Sequence, residues 1–182
     1  MNIVKRNEIV SLKKVLIYGE DKTGKSTFAE KYCKEKGLNP VVVDLENTNF
    51  TDLPLILDVD LSSDVKAYRQ MKKIIHDVQE SDYDTIIIDG VDSLIEGFIS
   101  ESNGIKAYSD RSKTFAKFIR DLDKSKLNVI FVGQAPLDFD WYKGDENPNK
   151  CVVRTNARVN EKYKCFKTEK GEFEVLTIIV RE

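Results

Sequence analysis

The 182-residue sequence predicts an α/β fold, a three-layer sandwich in which helices cover both faces of a mainly parallel sheet, with an antiparallel extension at the C-terminal end. Three observations carry this expectation. Short, continuous apolar runs of the kind buried on both faces recur at residues 15–18, 41–43, 86–88 (within an expected strand 83–89) and 129–132. The stretches between them repeat apolar residues at helical spacing. The last segment reads as two antiparallel strands, 163–167 and 173–180, around a turn at Glu169-Lys170-Gly171-Glu172.

Each element has its own signal. Residues 3–12 suit a short edge strand. The first apolar run stops at Gly19, after which Phe28, Ala29, Tyr32 and Cys33 recur at i, i+1, i+4 and i+5 until Gly37 ends a helix. Asn39-Pro40 marks a turn before strand 41–43, which ends in Asp44-Leu45-Glu46, and a short strand is expected at 55–57. Residues 62–80 read as an amphipathic helix with Val65, Tyr68, Met71, Ile75 and Val78 on its apolar stripe. His76, the only histidine, falls on the solvated side. After strand 83–89, Asp92-Ser93 is expected to cap a short helix carrying Leu94, Ile95, Phe98 and Ile99, broken at Ser102-Asn103-Gly104. Phe115, Phe118, Ile119 and Leu122 predict a helix over 110–123. Strand 129–132 ends at Gly133-Gln134. Residues 135–150, polar and aromatic with two prolines, read as a long loop, and Cys151 and Cys165 as parts of strand-like segments.

The length suits one domain spanning residues 1–182. A net charge of -2 lacks an overall basic footprint and counts against tight, salt-driven binding to duplex nucleic acid, while leaving room for a local basic strip. Three cysteines without a C-x-x-C pair point to reduced thiols and a cytosolic setting rather than a metal site. The sequence has no apolar signal region and no long uncharged apolar run, so no membrane partner is expected.

The most specific motif is Gly19-Glu20-Asp21-Lys22-Thr23-Gly24-Lys25-Ser26, which fits G-x-x-x-x-G-K-[ST] between a strand and a helix. Two glycines let the backbone turn tightly enough for successive N–H groups to face phosphate oxygens. Lys25 is expected to reach the β- and γ-phosphates, and Ser26 to offer a hydroxyl to Mg²⁺. The helix opening at Ser26-Thr27 presents its positive end to the anion. Gly19 through Thr27 are therefore the candidate nucleotide contacts. Ligands bind outside the carboxyl ends of parallel strands, so Gly19, Asp44 with Glu46, Asp89 and Gln134 are expected to converge. Asp89 fits the second Mg²⁺-holding position. Activation of a water falls to Glu46, with Asp44 as the other candidate, because Gly90 follows Asp89 where many such ATPases carry a Glu.

These residues resemble a family. Val42-Val43-Asp44-Leu45-Glu46 is similar to the strand-Asp-x-Glu of RecA-type ATPases, in which the Glu activates water. Val129-Ile130-Phe131-Val132-Gly133-Gln134 resembles their strand ending in a Gln that senses the γ-phosphate. The likeness runs over nearly the whole chain and is nearest to small phage-encoded RecA-like ATPases, a group that includes single-strand annealing and recombination proteins. The resemblance implies ATP and Mg²⁺ as cofactors and Lys25, Glu46 and Gln134 as catalytic residues. It implies slow, DNA-stimulated hydrolysis, single-stranded DNA as partner, a homo-oligomer on that DNA and a single-strand-binding protein as a further partner. It places the protein in the host cytoplasm. RecA itself adds an amino-terminal helix and strand and a separate C-terminal domain; here only a short leader precedes the first core strand, so self-assembly through those parts is not expected.

Two further features have two readings each. Phe139, Trp141, Tyr142 and Lys143 follow Gln134 and combine aromatic faces with positive charge, as single-strand binding requires; they could equally cover the core. Residues 150–170 are locally basic, and Lys162 and Lys164 have the spacing with which RecA-type proteins send a cation into a neighbouring subunit's ATP site; they could equally be lysines guarding a strand edge. Other function classes consistent with the phosphate-binding loop are a nucleoside or nucleotide kinase, with Asp110-Arg111 as its weak cue, and a nucleotide-dependent regulatory switch without DNA affinity.

Overall fold

A computed structural model describes residues 11–181 apart from Asn49, Thr51 and Ser100. Ile3 to Val10 of the expected edge strand lie outside the described residues, and residues 11–13 are not strand. The chain runs β1 (Lys14–Tyr18), α1 (Lys25–Lys36), β2 (Pro40–Asp44), β3 (Leu55–Ile56), α2 (Asp64–Gln79), β4 (Thr85–Asp89), α3 (Val91–Gly97), α4 (Ile105–Lys124), β5 (Asn128–Gly133), α5 (Lys150–Arg158), β6 (Glu161–Lys167) and β7 (Phe173–Val180). The strands form one sheet in the order β3-β2-β4-β5-β1-β6-β7. All neighbours are parallel except β6 and β7.

The continuous apolar runs supply both faces of this sheet. In β4, Ile86 and Ile88 pack toward α2, α3 and α4, whereas Ile87 packs toward α1. Val43 and Val42 of β2 divide in the same way. Alternation at period two thus turns one run of isoleucine or valine into two cores. Phe98, Phe115 and Phe118 interlock on the larger side, with centroids 5.7 to 6.4 Å apart. Phe28, Tyr32 and Tyr163 do so on the α1 side. Gly37 closes α1 in the left-handed region (φ 66°), and the Leu38 N–H donates to the Cys33 carbonyl at 2.9 Å.

The register sets the functional edge. Tyr18 lies opposite Gly133, Asp44 opposite Asp89, and Asp89 opposite Val132. The carboxyl ends of β1, β2, β4 and β5 are therefore level.

Several expectations are corrected. Val65 is exposed, and Ala67 takes its place on the buried stripe with Met71, Ile75 and Val78. Asp92 and Ser93 do not cap α3; they lie in its first turn, after Gly90 at the cap position. Helix α4 starts at Ile105 rather than near 110, so Asp110-Arg111 is interior to it. The segment after Gln134 is not wholly irregular: it forms two 3₁₀ turns, Ala135–Leu137 and Phe139–Tyr142. Cys151 is helical, because α5 buries Cys151, Val152 and Thr155 at i, i+1 and i+4 and is capped by Asn149 Oδ1, which accepts from the Cys151 N–H at 3.0 Å. Cys33, Cys151 and Cys165 are all buried free thiols. No helix of the described residues is long and apolar enough to cross a membrane.

Candidate nucleotide-binding site

The loop after β1 is shaped by what its glycines permit. A Cβ on Gly19 would stand 2.2 Å from the Cys165 carbonyl oxygen of β6, so no larger residue fits where the loop leaves the sheet. Gly24 takes φ 81° and turns the chain into α1, which begins at Lys25 with no side-chain cap. The N–H groups of that first turn are left without intrahelical partners, which suits an anion. Thr23 is buried and its hydroxyl donates to the Glu20 carbonyl at 2.8 Å, bracing the loop from below. The Lys25 ammonium donates to the same carbonyl at 2.7 Å.

Opposite the loop, the Ser26 hydroxyl donates to Asp89 Oδ2 at 2.8 Å. Burial pushes the Asp89 carboxyl up to about 6; the Ser26 bond opposes the rise and the Asp44 and Glu46 charges add to it. A hydroxyl and a carboxylate are oxygen donors of the kind a hard dication takes, and a dication would relieve the repulsion that the buried Asp89 carboxylate feels from Asp44 and Glu46. Ser26 and Asp89 therefore fit Mg²⁺.

The two candidate bases have different surroundings. Asp44 is buried, and its Oδ1 accepts from the backbone N–H groups of Glu46 and Thr48 at 3.2 and 3.0 Å. It folds the turn after β2, and that turn projects Glu46, which is exposed. Glu46 Oε1 accepts a hydrogen bond from the Ser93 hydroxyl at the start of α3. Gln134, at the end of β5, donates from its side-chain amide to Asp21 Oδ1 at 2.8 Å and from its backbone N–H to Asp92 Oδ1 at 3.1 Å. Burial raises the Asp92 carboxyl, though the Gln134 N–H and others oppose it. The first turn of α3 thus touches both Glu46, through Ser93, and Gln134, through Asp92. Residues 21–27, Glu46, Thr48, Asp89 and Gln134 enclose one cleft of about 380 Å³.

A sequence model of the AAA domain matches residues 11–164, most of the chain. The chain belongs to the AAA domain family. No curated protein matches it. The AAA domain shares its fold with the crystal structure of the RadB recombinase, at a TM-score of 0.55 and 16% identity over 92% of this chain and 80% of that one. It is a P-loop ATPase domain of RecA/RadB-like fold.

Other candidate residues of this AAA domain lie around the same edge. Phe139 and Trp141 are exposed, Trp141 at 61%, and Lys143 is exposed beside them, but Tyr142 is half-buried against the core. Lys162 is not free to reach a neighbour. Its side chain is 6% exposed, its ammonium lies 2.9 Å from Asp138 Oδ1, and it sits over the Tyr18 ring at 5.0 Å from the centroid. Tyr18 donates to the other Asp138 oxygen at 3.0 Å. Lys164 is exposed. Neither lysine guards a sheet edge, because β6 lies inside β7. Arg111 lies over the Tyr108 ring and 3.5 Å from Glu96, so the Asp110-Arg111 pair is engaged within the α3–α4 region rather than at the phosphate-binding loop.

Three contributors escaped the sequence reading. Asp92 and Ser93 looked like caps and instead hold Gln134 and Glu46. Phe173 packs on the loop: its ring carbon would be 3.4 Å from a Cβ on Gly24. Nothing local in the sequence marks Phe173, since only the strand order brings the β6–β7 hairpin beside α1.

Proposed function

We propose that this AAA domain binds ATP with Mg²⁺, hydrolyses it slowly, and couples turnover to single-stranded DNA in recombination or strand annealing. The observation that carries the reading is the convergence of Lys25, Ser26, Asp89, Glu46 and Gln134 around one cleft at level strand ends. Lys25 and the loop N–H groups would bind the β- and γ-phosphates. Ser26 and Asp89 would hold Mg²⁺, which adds positive charge where the phosphates need it. Glu46 takes the proton of the attacking water, and Gln134 senses the γ-phosphate.

The coupling to DNA rests on the segment after Gln134. Its second 3₁₀ turn carries Phe139 and Trp141 into solvent, Lys143 follows it, and the turn is tied down at Asp138. Beyond them, Lys150, Arg154 and Arg158 fall at i, i+4 and i+8 of α5, along a cleft of about 560 Å³ that also includes Asn147 and Pro148. Aromatic faces beside a positive strip suit a single strand. The same reading includes a homo-oligomer on DNA, with exposed Lys164 as the cation offered to a neighbour's nucleotide. It also includes a single-strand-binding protein as partner, a phage-type system and the cytoplasm.

ATP turnover measured with and without a single-stranded oligonucleotide tests this. Hydrolysis stimulated by the strand is expected. Absence of hydrolysis under both conditions removes the ATPase reading. Hydrolysis indifferent to DNA, in a protein that does not bind the strand, leaves a nucleotide-dependent switch instead.

A further inference from the structure

The two edges of the sheet are treated differently. One edge strand, β3, has only two residues and follows Pro54, so it offers little to a passing chain. The other, β7, runs for eight residues, Phe173-Glu174-Val175-Leu176-Thr177-Ile178-Ile179-Val180, with one charge and neither lysine nor proline. At about 3.4 Å per residue it is a long template for pairing. Phe173 through Ile178 and Val180 are exposed, Leu176 at 52% and Phe173 at 63%. Side chains on both faces of β7 are therefore open, and among the described residues no strand pairs with its outer side.

We infer that β7 is the contact surface for a second copy of this chain, joined antiparallel about a two-fold axis so that two seven-stranded sheets become one. The occupant follows from the strand's own pattern. Pairing with β6 slips by one residue between Lys162 and Tyr163, leaving Ile178 as a bulge. Phe173, Val175, Thr177 and Val180 therefore share one face, and Glu174, Leu176 and Ile179 the other. A two-fold axis at Leu176 respects these faces on both sides. It sets Leu176 against the partner's Leu176, Val175 against Thr177, Glu174 against Ile179, and Phe173 against Val180. Continued by one residue, it sets Glu172 of each copy against Arg181 of the other, giving two opposite-charge pairs at the ends of an apolar strip. Both residues are exposed, and the Arg181 N–H still donates to Asn160 at 2.7 Å, so the strand direction persists to that point. No like charges meet in this register. The contact is isologous and closed, and it needs neither nucleotide nor DNA, which separates it from assembly on a strand.

Sedimentation equilibrium of the full chain, without nucleotide or nucleic acid, tests it. The expected mass is twice the 20.9 kDa of one chain. Leu176→Lys would set two ammonium groups at the axis and yield monomers that still unfold cooperatively, since the residue is already exposed, at a temperature lowered only by the lost association and no longer dependent on protein concentration. Glu172→Arg should weaken association by roughly tenfold through two repulsive pairs, and adding Arg181→Glu should restore it. A wild-type chain that stays monomeric at all concentrations overturns the inference and leaves the edge to a different protein. A dimer unmoved by Leu176→Lys and by Glu172→Arg alone overturns it as well.

Discussion

Asp138 shows how one side chain can serve a site it never touches. It accepts from Lys162 and from Tyr18, so it pins the first 3₁₀ turns after Gln134 to β6 and β1. Burial alone would raise its carboxyl, but the Lys162 ammonium and the Tyr18 hydroxyl outweigh that and hold it below the usual carboxylate range. Asp138→Ala leaves an ammonium that is only 6% exposed without its partner and should cost about 3 kcal/mol in urea unfolding. Because the folded value is depressed, the stabilisation is present above the ordinary carboxylate range and is lost as pH falls through the lowered value. The gap between wild type and variant should therefore narrow in acid; a gap constant with pH would assign the loss to packing. At the cleft, Lys25→Ala should abolish nucleotide binding without disturbing the fold, read by fluorescent nucleotide titration and far-ultraviolet circular dichroism. Glu46→Gln should keep ATP affinity and lower turnover on the order of 10²-fold. If Asp44→Asn stops turnover and Glu46→Gln does not, the base has been misassigned. Asp44→Asn keeps an amide oxygen for the two backbone N–H groups but loses the carboxylate charge that strengthens both bonds, so its effect must be judged beside its melting curve.

Among the elements, the segment between β5 and α5 divides its aromatics by burial. Trp141 is exposed and Tyr142 rests on the core. Trp141→Ala should weaken single-stranded DNA binding by roughly 1–3 kcal/mol, the worth of one stacked base, with little change in stability. Tyr142→Ala should do the opposite. Equal affinities for wild type and a well-folded Trp141→Ala protein would end the stacking role. The sheet itself was legible in the sequence because β2, β4 and β5 are runs of β-branched and aromatic residues that satisfy both faces at once, and α1 because its apolar repeat ends at a glycine. Helix α5 was not legible. Its Val152, Val153 and Thr155 are β-branched and favour strands locally, and nine residues are too few for a period to show; burial of one face against the fold decides its form. Helix α4 was mistaken at its start because its first turn exposes Ile105 and Tyr108, leaving no apolar repeat to read. For the candidate site, strand-end residues could be identified from the sequence. Side-chain partnerships such as Ser93 with Glu46 or Lys162 with Asp138 depend on which strands become neighbours, and no local pattern encodes that.

On the scale of the whole molecule, the strand order makes the cleft a junction of elements remote in sequence. Its walls come from the ends of β1, β2, β4 and β5 and the start of α1, with β6 and Phe173 of β7 closing the loop from behind. A ligand there bridges units that the free protein joins by few groups: Ser26 to Asp89, and Gln134 to Asp21. Binding to the folded state alone must then stabilise the entire domain by mass action. At a nucleotide concentration 100-fold above its dissociation constant the gain is about 2.7 kcal/mol. For a domain of this size that raises the melting temperature by roughly 5–10 °C. ATP with Mg²⁺ should produce this shift in a thermal melt, and chelation with EDTA should remove most of it if Ser26 and Asp89 hold the cation. Asp89→Asn should melt nearly the same with or without added Mg²⁺ in the presence of ATP. A shift of equal size in wild type with EDTA would mean that the loop binds phosphate unaided and that Asp89 has another task. No shift under any condition, in protein that melts cooperatively, would mean that the cleft does not bind this nucleotide at all.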